Sequence, residues 1–200
     1  IAIDLGEEAE EDPNAVVNLY LNGVDLTCTV APGVIFYNVY ECGEKDEETA
    51  TKDVDTSAAG ANVFIVDGTE NTVNGSYVAR IYKSVELSED GKTVVDSKKL
   101  HKYDAAFYSK QSMNINGSDG ILNINAENEG LDSELHLTIN GGTFTNFSTT
   151  ANKRITIKGG TFDADPTQWL ASGYTALQNA DGTYTVLKGD VAVCWFKYGQ

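Results

Sequence analysis

This sequence is short of bases, of histidine and cysteine, and of long apolar runs. Lys and Arg together number 14 against 30 Asp and Glu, a net charge of −16. That balance repels nucleic acid and anionic lipid head groups unless a cation intervenes, so neither is an expected partner. No apolar run approaches the roughly 20 residues that span a bilayer, which speaks against direct membrane insertion. Residues 1–12 also lack the basic-then-apolar order of a signal peptide, and no Met initiates the chain. It reads as a mature or trimmed product. Only two histidines, His101 and His136, and three cysteines, Cys28, Cys42 and Cys194, are present, with no C-x-x-C pair. Zinc ligation and Ser-His-Asp or Cys-His catalysis therefore have no support in the spacing. An odd cysteine count leaves at least one thiol outside any intrachain bridge. Cys28 and Cys42 can pair, or all three can be small buried thiols.

What is present suffices for folding: 41 % of the 200 residues are hydrophobic, enough for the core of one medium or two small domains. The acidity is uneven. Residues 1–12 hold six acids and no base, and residues 41–55 hold seven acids against Lys45 and Lys52. Such runs form either solvated loops or, because a hard cation takes about six to eight oxygens, sources of Ca²⁺ ligands. Neither run has EF-hand spacing.

The organising feature is a repeat. Alternating apolar residues followed by Asn-Gly occur at Leu19-Tyr-Leu-Asn-Gly23, Met113-Asn-Ile-Asn-Gly117 and Leu137-Thr-Ile-Asn-Gly141, with Ile155-Thr-Ile-Lys-Gly159 as a degenerate copy. Phe107-Tyr-Ser-Lys and Leu131-Asp-Ser-Glu precede their copies by equal distances, and Gly141-Gly-Thr-Phe144 recurs as Gly159-Gly-Thr-Phe162. Each copy predicts a short strand ending in a turn. Hairpin meanders also use Asn-Gly, so the turn alone decides nothing. The period decides: offsets of 24 and 18 residues with two or three strands apiece match one coil of a parallel β-helix. The expected fold is all-β, a right-handed parallel β-helix. Residues 1–162 would form the repeats, with an inserted loop at about 76–104. Leu137 and Ile139 would stack on Met113 and Ile115, and turn asparagines would form ladders. Asp165-Pro-Thr-Gln-Trp-Leu-Ala-Ser-Gly173 carries helix start and stop signals. It predicts a short helix placing Trp169 and Leu170 over a coil end. A hairpin to Leu187 and a strand at 191–196 would complete a C-terminal cap, 163–200.

Residues 16–142 resemble a clostridial family of secreted carbohydrate-binding proteins with a pectate-lyase-like right-handed parallel β-helix. The likeness is carried by Val16-Val-Asn-Leu-Tyr-Leu-Asn-Gly-Val-Asp25, Asn38-Val-Tyr-Glu-Cys-Gly43, Asp67-Gly-Thr-Glu-Asn71, Asp104-Ala-Ala-Phe-Tyr-Ser109 and Glu127-Asn-Glu-Gly-Leu-Asp-Ser-Glu134, with Leu137-Thr-Ile-Asn-Gly-Gly142. The resemblance implies binding of cellulose and acidic polymers such as polygalacturonate, bound Ca²⁺, and a secreted or bacterial cell-surface location.

Neutral glucans are bound through flat aromatic faces, whereas uronates need Arg, Lys or a bridging cation. Residues 80–110 are not acidic on balance, with seven bases against five acids. They form either a glycan-binding loop or a solvated lysine-rich one. The candidate contacts are Tyr77, Arg80, Tyr82, Lys98, Lys99, Lys102, Tyr103 and Tyr108, each tyrosine being either platform or core. Glu127, Glu129 and Asp132 surround Gly130, and Asp104-Ala-Ala-Phe107 aligns on Asn128-Glu-Gly-Leu131. Those four acids are the candidate Ca²⁺ ligands. A lyase would need a positioned Arg or Lys base, and neither Arg80 nor Arg154 lies in a lyase-like motif. The expectation is a binding protein and not an enzyme. The competing class is a structural adhesin or filament subunit, joined through coil ends or strand addition.

Overall fold

The computed structural model describes residues 1–3, 15–36, 57–76, 81–101, 103–151 and 154–189. The acidic runs at 4–12 and 41–55, and the expected strand at 191–196, lie outside them. The described chain is all-β. Its strands fall in turn into three parallel sheets, one strand in each, and the round is made five times. The first round is β1 (Ala2–Ile3), β2 (Val17–Leu21) and β3 (Asp25–Thr27), and the second is β4 (Val34–Phe36), β5 (Ala61–Ile65) and β6 (Glu70–Asn74). A separate antiparallel ribbon, β7 (Ile81–Leu87) and β8 (Val94–His101), interrupts the order and pairs only with itself among the described residues. The third round is β9 (Phe107–Ser109), β10 (Met113–Asn116) and β11 (Ile121–Asn125), and the fourth β12 (Leu131–Ser133), β13 (His136–Ile139) and β14 (Thr143–Thr145). The fifth is β15 (Thr149–Ala151), β16 (Arg154–Ile157) and β17 (Gly160–Phe162). The hairpin of β18 (Tyr174–Gln178) and β19 (Tyr184–Lys188) then joins the third sheet antiparallel to β17.

The registers follow the repeat. Met113 pairs with Leu137 and Leu137 with Ile155, Ile115 with Ile139, Phe107 with Leu131, and Phe144 with Phe162. These side chains alternate with outward polar ones, as period-2 patterning requires, and form one core in which Met113, Ile115, Leu137 and Ile139 are fully buried. The first motif copy does not align as written. Val17 and not Leu19 takes the register of Met113, through Ala61, so that copy is shifted by two residues.

Asn-Gly here turns a corner and closes no hairpin: β13 passes through Asn140-Gly141-Gly142 into β14, which lies in a different sheet. Glycine is required there. A Cβ on Gly141 would lie 2.1 Å from the carbonyl oxygen of Gly117 one round earlier, and Gly142 has φ +109°, a region that side chains disfavour.

One detail departs from expectation. The helix signalled after Asp165 is a single 3₁₀ turn, Thr167–Trp169. Asp165 does hold its start, accepting the Thr167 N–H at 2.9 Å, but one turn later Leu170 returns to parallel pairing with Ile157. Sheet pairing thus ends the helix before it lengthens. Trp169 stands edge-on to Phe147 at 5.8 Å, over an aromatic group that includes the stacked Phe144 and Phe162.

Candidate functional site

The inward positions being committed to the core, chemistry falls to the outward rows, and the three sheets differ there. On the first sheet the outward row is Ile35, Tyr108, Asp132 and Thr150. Tyr103 and Tyr108, read from sequence as possible sugar platforms, are corrected here: they are 5 % and 2 % exposed. They pack edge-to-face at 4.8 Å beneath a small second cluster with Ala105 and Ile35, so their rings meet protein and not ligand. The Tyr108 hydroxyl donates to Glu134, and burial followed by that acid pushes its ionisation well above the ordinary tyrosine range.

Asp132 is half-buried beside them. Its pKa is raised from 3.8 to about 7, first by burial and then by the charges of Asp104, Glu134 and Glu129. The Nδ2 of Asn128 donates to Asp104 at 2.6 Å, joining the two aligned loops. The structure therefore gathers Asp104, Glu129 and Asp132 as the alignment implied and adds Glu134, one turn past the loop where ligands were sought. Glu127 is exposed and not among the charges acting on Asp132. Hard carboxylate oxygens suit Ca²⁺. Among the described residues, however, no three His, Cys, Asp or Glu side chains are placed to hold one metal ion. The face is a concentration of negative charge and not a formed cage.

The second sheet carries a site that the sequence reading missed. Alternation in β2 and β5 turns Tyr20 and Phe64 outward in paired register. Their rings stack at 4.8 Å and 13°, and Tyr20 is 62 % exposed. A groove of about 320 Å³ opens beside them, at the lower end of small-ligand sites, with Asp67, Asn116 and Ser118 among its lining. Asp67 accepts the Ser118 N–H at 3.1 Å and Asp119 accepts the Gly68 N–H at 2.9 Å, so two carboxylates lock the facing turns. The row continues with Asn116, whose side-chain oxygen accepts from Asn140 at 2.9 Å. Alongside runs a ladder in which Asn114 donates to Asn62 and Asn62 to Asn18, each at 3.1 Å. The turn asparagines Asn116 and Asn140 make one such rung, whereas this ladder runs through residues within the strands; a second links Asn146, Asn125 and Asn74 on the third sheet. Two aromatic rings flanked by amide rows can meet the apolar face of a sugar and bond its hydroxyls.

The remaining sequence candidates are not brought to either place. Tyr82 lies on β7 and Lys98 and Lys99 on β8, in the separate ribbon. Tyr77, Arg80 and Lys102 lie outside the described residues, as do Cys42 and Cys194, while Cys28 is a half-buried thiol. No helix among the described residues is long and apolar enough to cross a membrane.

The fold and its outer faces define an all-β protein of parallel sheets bearing an exposed aromatic groove. No protein-family model, curated protein or solved structure matches the chain.

Proposed function

We propose that this chain is a carbohydrate-binding module of a secreted or bacterial cell-surface protein, and that its three sheets are the faces of a right-handed parallel β-helix. The exposed Tyr20–Phe64 stack beside its groove is the observation that carries the reading. A free-standing aromatic surface on a protein of net charge −16 is unfavourable unless something covers it, and sugar rings present apolar faces of matching size. The resemblance to clostridial carbohydrate-binding proteins points the same way, towards plant-type polysaccharide such as cellulose or polygalacturonate. In this reading the protein holds its ligand and does not turn it over. The lysine-bearing ribbon is a second surface for acidic chains, and Ca²⁺ acts as counter-charge to Asp104, Glu129, Asp132 and Glu134.

Retention on insoluble cellulose and on polygalacturonate, with and without chelator, tests this on protein of known oligomeric state. A Tyr20→Ala/Phe64→Ala variant should lose cellulose retention. Undiminished retention would remove the site, and unsaturated uronide in the supernatant would replace binding by β-elimination.

One observation favours the structural reading: among the described residues β2 ends its sheet, and its five residues carry neither charge nor proline, a template for strand addition. At the opposite end of that sheet Leu170 already pairs with β16, which leaves head-to-tail stacking less room. A monodisperse monomer in light scattering would dispose of assembly.

A further inference from the structure

If the glycan reading holds, the groove also has a selectivity. We propose that the Tyr20–Phe64 groove takes neutral glycan chains and turns away uronates, with Asp67 and Asp119 as the selectivity residues. None of the residues lining the groove is basic, and Asp67 lines it directly. Asp119 stands on the adjoining turn with its carboxylate on Gly68 N–H. Both acids are exposed and are held in place by backbone N–H groups, so neither can swing away from an arriving charge without losing its turn. The base that continues the row, Lys158, follows β16 three strands beyond Phe64. It stands two strands beyond Asn116, the last residue of the row that lines the groove, and at about 4.8 Å per strand that is roughly 10 Å, past the Debye length of about 8 Å at physiological salt, so its compensation is weak.

The same spacing suits a short neutral chain laid across β2, β5 and β10, its apolar side against the outer face of Tyr20 and the edge of Phe64 and its hydroxyls on the Asn116 side chain. A uronate in that position brings a carboxylate beside two fixed ones. One like charge at about 7 Å in high dielectric weakens binding by roughly threefold, so the two carboxylates together weaken it by up to roughly sevenfold per uronate contact.

The test is calorimetric titration with a neutral β-glucan trisaccharide and a trigalacturonate, all in chelator so that no divalent cation can bridge, and all in a Lys98→Ala/Lys99→Ala background so that the ribbon does not take up the uronide. With Asp67 and Asp119 in place the neutral ligand should bind several-fold more tightly. Asp67→Asn/Asp119→Asn keeps the carbonyl acceptors of both turns. It should raise uronate affinity by up to about sevenfold, narrow the ratio of neutral to uronate affinity accordingly, and melt with the wild type. Raising salt should narrow the wild-type preference and leave the variant unchanged. Equal wild-type affinities, or a double variant with unaltered uronate affinity, would overturn the selectivity while leaving glycan binding intact. If neither ligand binds, or Tyr20→Ala leaves neutral binding untouched, the underlying reading fails instead.

Discussion

Replacing Asp132 by asparagine should stabilise the protein at neutral pH and leave it unchanged in acid. Burial and the charges of Asp104, Glu134 and Glu129 raise this carboxyl from 3.8 to about 7. The folded state therefore keeps a proton that the unfolded chain releases near pH 4. The stabilisation is full below the unfolded value, declines as pH rises, and is lost once pH passes about 7. A shift of about three units corresponds to ~4 kcal/mol as a ceiling. Solvent reaches part of this half-buried group and screens it, so about 2 kcal/mol is the expected size. For a domain this large that moves Tm by about 4–8 °C.

Urea unfolding at matched ionic strength from pH 3 to 8 reads the effect as the difference between variant and wild type, which cancels the other titrating groups. The difference should be close to zero at the acid end and grow towards pH 8, with unchanged m. A difference independent of pH, or a variant less stable at pH 8, would refute the electrostatic account. The same experiment weighs the metal. If Ca²⁺ neutralises this face, millimolar Ca²⁺ should stabilise the wild type at pH 8, do little at pH 5, and do less for Asp132→Asn.

Other outcomes follow from the packing. Gly141→Ala puts a methyl against the Gly117 carbonyl and should destabilise by about 2–4 kcal/mol in thermal melts, whereas Gly91→Ala, with open space around it, should cost only its φ strain of about 1 kcal/mol. Asn62→Ala interrupts the ladder between Asn18 and Asn114 and should lower stability by about 1 kcal/mol. Trp169→Ala should loosen the cap, seen as faster amide exchange at β16 and β17 while β5 and β10 stay protected.

The inner half of this molecule was legible in the sequence and the outer half was not. Met113, Leu137 and Ile155 advertise their registers because consecutive rounds there differ by only 24 and 18 residues. Between β2 and β5 the offset is 44 residues, and between β5 and β10 it is 52, since long segments intervene. No period survives such interruptions, so nothing in the sequence sets Tyr20 beside Phe64. Phe64 is further hidden within Val63-Phe64-Ile65-Val66, where an outward aromatic reads as part of a continuous apolar strand. Tyr108 failed for the opposite reason. Its alternation correctly faces it outward, but residues 103–105 fold over it, and period-2 patterning carries no information about what covers an outward side chain. Glu134 escaped because the alignment drew attention to the loop before β12, while the turn after it also reaches the same face.

That asymmetry bears on where function can reside. The inner rows must repeat, because each apolar residue has to meet its counterpart in the rounds on either side, and corners such as Gly141 must stay bare for the backbones to approach. The outer rows have no such obligation, and this chain uses the freedom differently on each face. One is acidic and partly covered by tyrosines, one bears an aromatic pair among amides, and one is laddered with asparagine and threonine. A net charge of −16 spread evenly would give every face the same preference. Among the described residues, Asp104, Glu129, Asp132 and Glu134 gather on the first sheet and Asp67 and Asp119 hold the turns, while the rows around Tyr20 and Phe64 are neutral. A neutral aromatic strip rimmed by carboxylates attracts apolar ring faces by contact and repels anions at a distance. The selectivity proposed for the groove is therefore a consequence of how the outer rows are charged, and exchanging Asp67 and Asp119 for their amides alters that rim without touching a residue of the core.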